Sequence, residues 1–163
     1  MKHVTLVFLI KPKTREILLA MKKRGFGMGK YNGAGGKIEE GETPEEAVTR
    51  EAFEELGVSI DQKDLEKVAE IAFSFENKPG GFFCHAYLVQ VWTGEPAESE
   101  EMAPQWFTYD TVPYNQMWVN DRQWVPQVLA GKKLKGSIHF TEDGNNVISE
   151  SLQEVATLSY ILK

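Results

Sequence analysis

An α+β fold is expected for this chain, with strands outnumbering helices. Three observations carry that expectation. Short apolar or alternating stretches recur along the chain, separated by turn residues. One segment carries a full set of helix start and stop signals, and a single weaker helix pattern follows it. There are no repeats, low-complexity tracts or obvious linkers, and 163 residues suffice for one domain with a sizeable core, so 1–163 is read as one domain.

Val4–Ile10 and Glu16–Met21 read as two strands joined by a turn at Lys11–Arg15. Lys22–Ala34 follows as a glycine-rich, basic loop. The next segment is the best-punctuated helix. Thr43 suits the N-cap, Pro44 the first helical position, Glu46 completes a capping box, and Gly57 suits the C-terminal cap. Val48, Ala52, Phe53 and Leu56 form its expected apolar side. Leu65–Glu76 and Phe82–Trp92 pair as a hairpin around Asn77–Gly81, and Pro104–Tyr109 suggests a further strand. Arg122–Ala130 reads as a short helix whose start is blurred by Pro126. Leu134–Thr141 and Val147–Leu152 flank Asp143-Gly144, a second hairpin signal. The apolar tail LSYILK has two readings, packing on the domain or a weak self-contact.

Composition narrows the function classes. The chain is 42% hydrophobic and 26% charged, as in ordinary soluble proteins. A net charge of −6 disfavours a nucleic-acid polymer as partner but leaves a nucleotide substrate open, because a bound cation inverts the local field. Cys84 is the single cysteine, so no intrachain disulfide forms and a reducing cytoplasm is expected. Cys84 itself reads as a buried core thiol. No run approaches the ~20 apolar residues of a membrane span, and Val4–Ile10 is too short for a signal peptide. A monomer is the default.

Residues 36–58, GKIEEGETPEEAVTREAFEELGV, carry the chemistry. Glu51, Glu54 and Glu55 lie at helical spacings of three and four, a crowding that destabilises a helix unless something offsets it. A divalent cation does so, since hard cations take carboxylate oxygens. Glu42 lies just before the helix, and Arg50, which cannot bind metal, can hold a neighbouring carboxylate by a bidentate pair. Lys22, Lys23, Arg24 and Lys30 beside three glycines suit a phosphate tail, and suit a solvated flexible loop nearly as well.

The segment resembles the signature of the Nudix hydrolases, G-x5-E-x7-R-E-U-x-E-E-x-G-U, where U is bulky and aliphatic. Gly36, Glu42, Arg50, Glu51, Glu54, Glu55 and Gly57 all match, Val58 fits the last U, and Ala52 is smaller than usual at the first. The resemblance implies an α/β/α sandwich around a mixed sheet and magnesium as the working ion, with manganese as the alternative. It implies Glu54, Glu55 and the main-chain carbonyl of Gly35 as metal ligands, and Glu51 as a ligand or the group that polarises water. A further carboxylate outside the signature matches best at Glu101, with Glu98 and Glu100 as rivals.

Outside the signature, MKKRGFGMGKYNGAGGK, ESEEMAPQWF and MWVNDRQW resemble the branch of the family that hydrolyses oxidised purine nucleoside triphosphates. That likeness spans Thr5 to about Glu154. It implies Trp118 as a platform for the base and Asn32, Asn120 and Asp121 as readers of its edge. Phe26, Phe73 and Met102 become apolar walls, Trp124 a support, and Lys22 and Thr5 further substrate contacts. Relatives carry two adjacent aspartates where this chain has Asn120-Asp121. An Asn120 donating to O6 beside an ionised Asp121 accepting from the ring nitrogens suits 8-oxo-dGTP, whereas 2-hydroxy-dATP or methylated purines need other pairings. Ala34 stands where relatives have a bulkier residue, so a wider pocket mouth is expected. The implied outcome is nucleoside monophosphate and pyrophosphate, and removal of mutagenic precursors from the nucleotide pool. The alternatives are a Nudix hydrolase of dinucleotide polyphosphates or capped RNA, and a sensing module without turnover, although such modules usually lack a signature acid and this chain lacks none.

Overall fold

The structure is a computed structural model describing residues 1–158. The alternative placements of the LSYILK tail therefore fall mostly outside the described residues. The chain runs β1 (Lys2–Lys11), β2 (Glu16–Lys22), β3 (Tyr31–Asn32), α1 (Pro44–Leu56), β4 (Leu65–Phe75), β5 (Lys78–Val89), β6 (Met102–Thr108), α2 (Asp121–Leu129), β7 (Lys133–Phe140) and β8 (Val147–Val155). Three short 3-10 turns complete it at Gln62–Asp64, Tyr109–Thr111 and Tyr114–Gln116.

The sheet is mixed, ordered β3-β2-β1-β5-β4-β7-β8 with β6 on the other edge of β2. β1 with β5 and β4 with β7 are parallel, and the remaining pairs are antiparallel. Alternation along β1 fixes the layers. Phe8 and Ile10 point to one face, packed with Trp124, Val125 and Val128 of α2. Val7 and Leu9 point to the other, packed with Val48, Ala52 and Leu56 of α1. A helix covers each face, as the expected sandwich requires.

α1 has the punctuation expected from the sequence. Thr43 accepts from the Glu46 amide, Glu46 returns the bond to the Thr43 amide, and Gly57 closes the helix in the left-handed conformation. Its sides differ from the expectation. Phe53 is 59% exposed, whereas Glu55 is 5% exposed. The buried stripe runs Val48, Ala52, Glu55, Leu56, at i, i+4, i+7 and i+8, so Glu55 occupies a core-facing position and Phe53 lies beside the stripe. The acids thus fan around the helix rather than opposing its apolar side.

Two further boundaries shift. Lys78 already pairs with Phe75, so the first hairpin turns at Glu76-Asn77 and the Lys78–Gly81 segment belongs to β5. α2 runs through Pro126, held by the buried Trp124, Val125 and Val128 despite the lost amide donor.

What positions the site is a split between β1 and β2. They pair only at Ile10–Ile17 and Lys11–Glu16. Further back, the chain after β3 lies along β1 instead, with the Thr5 amide donating to the Gly36 carbonyl at 2.8 Å and the Val7 amide to Ala34 at 2.7 Å. A Cβ at Gly35 would stand 1.9 Å from the Thr5 carbonyl oxygen, and one at Gly36 2.6 Å from a Glu51 carboxylate oxygen. Close approach of backbone requires glycine at Gly35, whereas a side chain at Gly36 would displace the Glu51 carboxylate.

Candidate active site

The split opens into two connected hollows. The first is a cavity of about 500 Å3 between the sheet and α2. Its walls include Thr5, Lys22, Phe26, Asn32, Gly35, Glu55, Phe73, Met102, Trp118, Asp121 and Trp124, all expected from the sequence. The second is a cleft lined by Glu51, Glu54, Glu55, Glu100, Glu101, Lys22, Arg24 and Lys37. Lys22, Gly35, Gly36, Lys37 and Glu55 line both, so an apolar chamber opens directly onto an acidic one.

In the cleft, Arg50 organises the acids. Its Nε and Nη2 donate to the two Glu42 oxygens at 2.7 and 3.0 Å, and Nη1 donates to Glu51 at 3.0 Å and Glu54 at 3.3 Å. The bidentate pair holds the Glu42 carboxyl below its ordinary pKa and raises that of Arg50. Burial acts oppositely on the inner acids. Desolvation lifts Glu51 despite Arg50. It also pushes Glu55 up to about 7, although the Gly35 amide donates to its Oε1 at 2.9 Å. Repulsion adds to this, since Glu54 and Glu101 raise Glu51 further, and Glu51 and Glu101 raise Glu55.

Of the three rivals outside the signature, Glu101 alone combines cleft exposure with electrostatic reach to Glu51 and Glu55. Lys22 and Arg24 hold it at 3.4 Å each. Glu100 lies at the rim, paired with Arg24, and Glu98 binds Lys23 outside the cleft. Among the described residues no three acidic, histidine or cysteine side chains already converge on one ion position. Arg50 and the basic loop hold the carboxylates instead. The donor set itself suits a hard divalent cation, because Glu51, Glu54, Glu55 and Glu101, with Glu100 at the rim, and the Gly35 main chain face one cleft. The desolvated charge on Glu51 and Glu55 is the cost such an ion would offset.

In the cavity, Trp118 lies among rings. Phe26 sits over it with centroids 5.2 Å apart, Phe75 and Phe140 flank it at 6.1 and 6.0 Å, and the Lys30 ammonium is 5.2 Å from its centroid. Trp124 is fully buried, and its indole N–H donates to Asp121 Oδ1 at 3.0 Å. Asp121 opens α2, and the Trp118 carbonyl accepts from its amide at 2.9 Å. Burial pushes its carboxyl up to about 7, against the pull of the Trp124 and Trp118 hydrogen bonds and the Lys30 charge, so near neutrality it is partly protonated rather than simply ionised. Its Oδ2 is buried without a hydrogen-bond partner.

Three placements add to expectation. Asn120 is buried but not among the cavity walls, and its amide nitrogen donates one hydrogen bond to Glu150 on β8. Ala34 packs beneath α1 with Val7 and Val48, away from the cavity, so its small size does not widen the mouth. Cys84 is buried as expected yet also borders the cavity. Sequence reasoning missed Phe75, Phe82, Phe140 and Glu150. The β4–β5 and β4–β7 registers bring Phe82 opposite Phe73 and Phe140 opposite Phe75, and no local signal encodes that pairing.

Comparisons with known proteins agree with this geometry. The family model of the NUDIX domain matches residues 1–128. The chain is 44% identical over 151 residues to the mouse (Mus musculus) protein named oxidized purine nucleoside triphosphate hydrolase, covering 93% of this chain and 94% of that one. It is 44% identical over 158 residues to the zebrafish (Danio rerio) protein of the same name, covering 96% and 97%. A crystal structure described as a mutator MutT protein from Bacillus halodurans superposes with a TM-score of 0.81 at 26% identity, covering 93% and 97%. With its signature residues gathered on one cleft, a mixed sheet between two helices, and these matches along most of its length, the chain belongs to the Nudix family of hydrolases.

Proposed function

We propose that this protein hydrolyses oxidised purine nucleoside triphosphates, 8-oxo-dGTP foremost, to the monophosphate and pyrophosphate with a magnesium ion, and so clears damaged precursors from the nucleotide pool. The observation that carries the reading is the continuity of the aromatic cavity with the acidic cleft through Lys22, Gly35, Gly36, Lys37 and Glu55. A purine seated on Trp118 would direct its phosphates along that shared wall. The activity named for the 44% identical mouse and zebrafish proteins supports the same substrate class. A single, buried cysteine supports a reducing cytoplasm as its place of work.

The roles follow from surroundings. Glu54, Glu55, Glu101 and the Gly35 main chain supply oxygen donors for the ion, with Glu51 beside them. When bound, the ion screens phosphoryl charge and lowers the pKa of water, and manganese could replace magnesium in such an oxygen set. Glu51, made more basic by burial, accepts the proton of the attacking water. The water oxygen bonds to the phosphorus on one side of the α–β anhydride, the bridging P–O bond breaks, and the phosphate oxygen on the other side leaves with the electron pair, giving monophosphate and pyrophosphate. Lys22, on the wall between the hollows, offsets charge on the phosphate tail. Arg50 keeps Glu51 and Glu54 oriented from the helix side. Phe26 and Trp118 form the slot for the base, where stacking contributes ~1–3 kcal/mol.

Turnover of 8-oxo-dGTP with magnesium, then with excess chelator, tests this. The expected result is 8-oxo-dGMP plus pyrophosphate with the ion and loss of turnover without it. Release of the diphosphate and orthophosphate, or undiminished turnover in chelator, would sink the reading.

A further inference from the structure

The loop between β2 and β3 touches both hollows. Its base is fixed by the backbone: the Lys22 amide donates to the Lys30 carbonyl at 3.0 Å, the Gly29 amide to Lys22 at 2.9 Å, and the Lys23 amide to Glu101 at 2.8 Å. Its tip, residues 24–28, has little beneath it. Gly25 and Gly29 bound the tip in the left-handed conformation, and a Cβ at Gly29 would meet nothing within 4 Å. Phe26 and Met28 are 62% and 65% exposed. Few buried contacts therefore oppose its movement. Two side chains hold it down. Phe26 lies on Trp118, with centroids 5.2 Å and planes 30° apart, and meets Phe75 and Phe82 at 6.1 and 5.6 Å. Arg24 pairs with Glu101 at 3.4 Å and Glu100 at 3.5 Å. Both contacts stand where a ligand belongs. A purine between Phe26 and Trp118 needs about 7 Å between the rings, two stacked contacts of ~3.5 Å each, so at 5.2 Å the slot is shut. Glu101 gives Oε1 to Arg24 and Oε2 to Lys22, and those cations repel an incoming divalent ion.

We propose that the 24–28 tip is an autoinhibitory clasp that couples the two hollows: with Phe26 on Trp118 and Arg24 on Glu101 it closes the base slot and the ion cleft together, and a ligand that opens one opens the other. This rests on the proposed purine triphosphatase reading. A base entering the slot lifts Phe26, and Arg24, two residues earlier on the same tip, leaves Glu101. An ion taking Glu101 displaces Arg24 and frees Phe26. Base and ion then assist each other by one factor in both directions, as linkage requires. The coupling belongs to the protein and not to the phosphate tail, so a purine nucleoside without phosphates shows it. A triphosphate whose base fits the slot poorly leaves the clasp closed and meets a weaker ion site, which ties base recognition to hydrolysis.

The test measures the Kd of 8-oxo-2′-deoxyguanosine by calorimetry, with saturating magnesium and with chelator, in wild type and Arg24→Gln. The nucleoside has no phosphate through which to recruit the ion. Manganese binding with and without the nucleoside, read from the EPR signal of the free ion, gives the reverse direction. In wild type each ligand is expected to tighten the other about fivefold. Arg24 is mostly exposed, so R24Q should fold normally. With its tip held by Phe26 alone, R24Q should bind the nucleoside more tightly than wild type in chelator and show less than about twofold coupling. Wild-type affinities equal within about 1.5-fold with and without the ion overturn the proposal. Full coupling retained in R24Q overturns it as well, because Arg24 is then not the link. Wild type that turns over 8-oxo-dGTP but does not bind the nucleoside also overturns it, since the base alone then fails to lift Phe26. Wild type that does neither would bring down the functional reading, and this inference with it.

Discussion

In the proposed function, Trp118 and Glu54 carry separable halves of the chemistry. Trp118 faces Phe26 in the cavity, so Trp118→Ala should raise KM for 8-oxo-dGTP by roughly tenfold or more, as expected from ~1–3 kcal/mol of stacking, with a smaller change in kcat. An unchanged KM would mean the base is held elsewhere. Glu54 is exposed and bonded only to Arg50 among the described residues. Glu54→Gln should leave the thermal midpoint within about 2 °C and cut turnover by ~10²-fold or more. Near-normal turnover would remove Glu54 from the metal site. Asp121 gives a pH signature. Its carboxyl ordinarily titrates at 3.8 and in the fold at about 7. Between those values the folded protein holds a proton the unfolded chain has released, so this contribution is full below about 4 and is lost as pH rises through 7. Denaturant midpoints at pH 5 and pH 8 should therefore differ less in Asp121→Asn than in wild type. Equal pH dependence in both proteins would refute the assignment.

At the level of elements, α1 is held by local signals and aimed by distant ones. The capping box is fully made, and Thr43→Ala should cost about 1 kcal/mol by chemical denaturation, with Nudix chemistry otherwise kept. A loss below about 0.3 kcal/mol would show the cap to be dispensable. These features are legible in the sequence because they depend on residues within one turn. The burial of Glu55 is less so. Its position in the Val48-Ala52-Leu56 stripe is periodic, but reading it as core needs the Gly35 amide as partner, and that arrives from a loop twenty residues earlier. Phe53 misleads for the complementary reason: its apolar character suggests a core role that its angle on the helix denies. The bond from Asn120 to Glu150, thirty residues later in β8, likewise gives no sign of itself in the sequence. A buried Lys67–Glu70 pair at 2.8 Å on β4 is hidden for the same cause, since a strand sequence does not announce which polar face is covered.

For the whole molecule, the sheet topology makes the site. β1 lies centrally, pairs in parallel with β5, and parts from β2 to admit the Gly33–Lys37 segment. That single separation places the Gly35 main chain beside Glu55 on one side and the aromatic cavity on the other. Fold class and signature are readable from spacing and resemblance. The aromatic lining from Phe75, Phe82 and Phe140 requires the strand register, which is set by nonlocal pairing. Among the described residues no helix is long and apolar enough to cross a membrane. The measurement that bears most directly on the proposed activity is the ratio of kcat/KM for 8-oxo-dGTP over dGTP with magnesium, both followed to monophosphate and pyrophosphate. A cavity that reads an oxidised purine and feeds it to the acidic cleft should give a ratio of about a hundred, or ~2.7 kcal/mol of discrimination. Equal, slow rates for the two nucleotides would contradict it, leaving a Nudix fold and acid cleft whose substrate lies elsewhere.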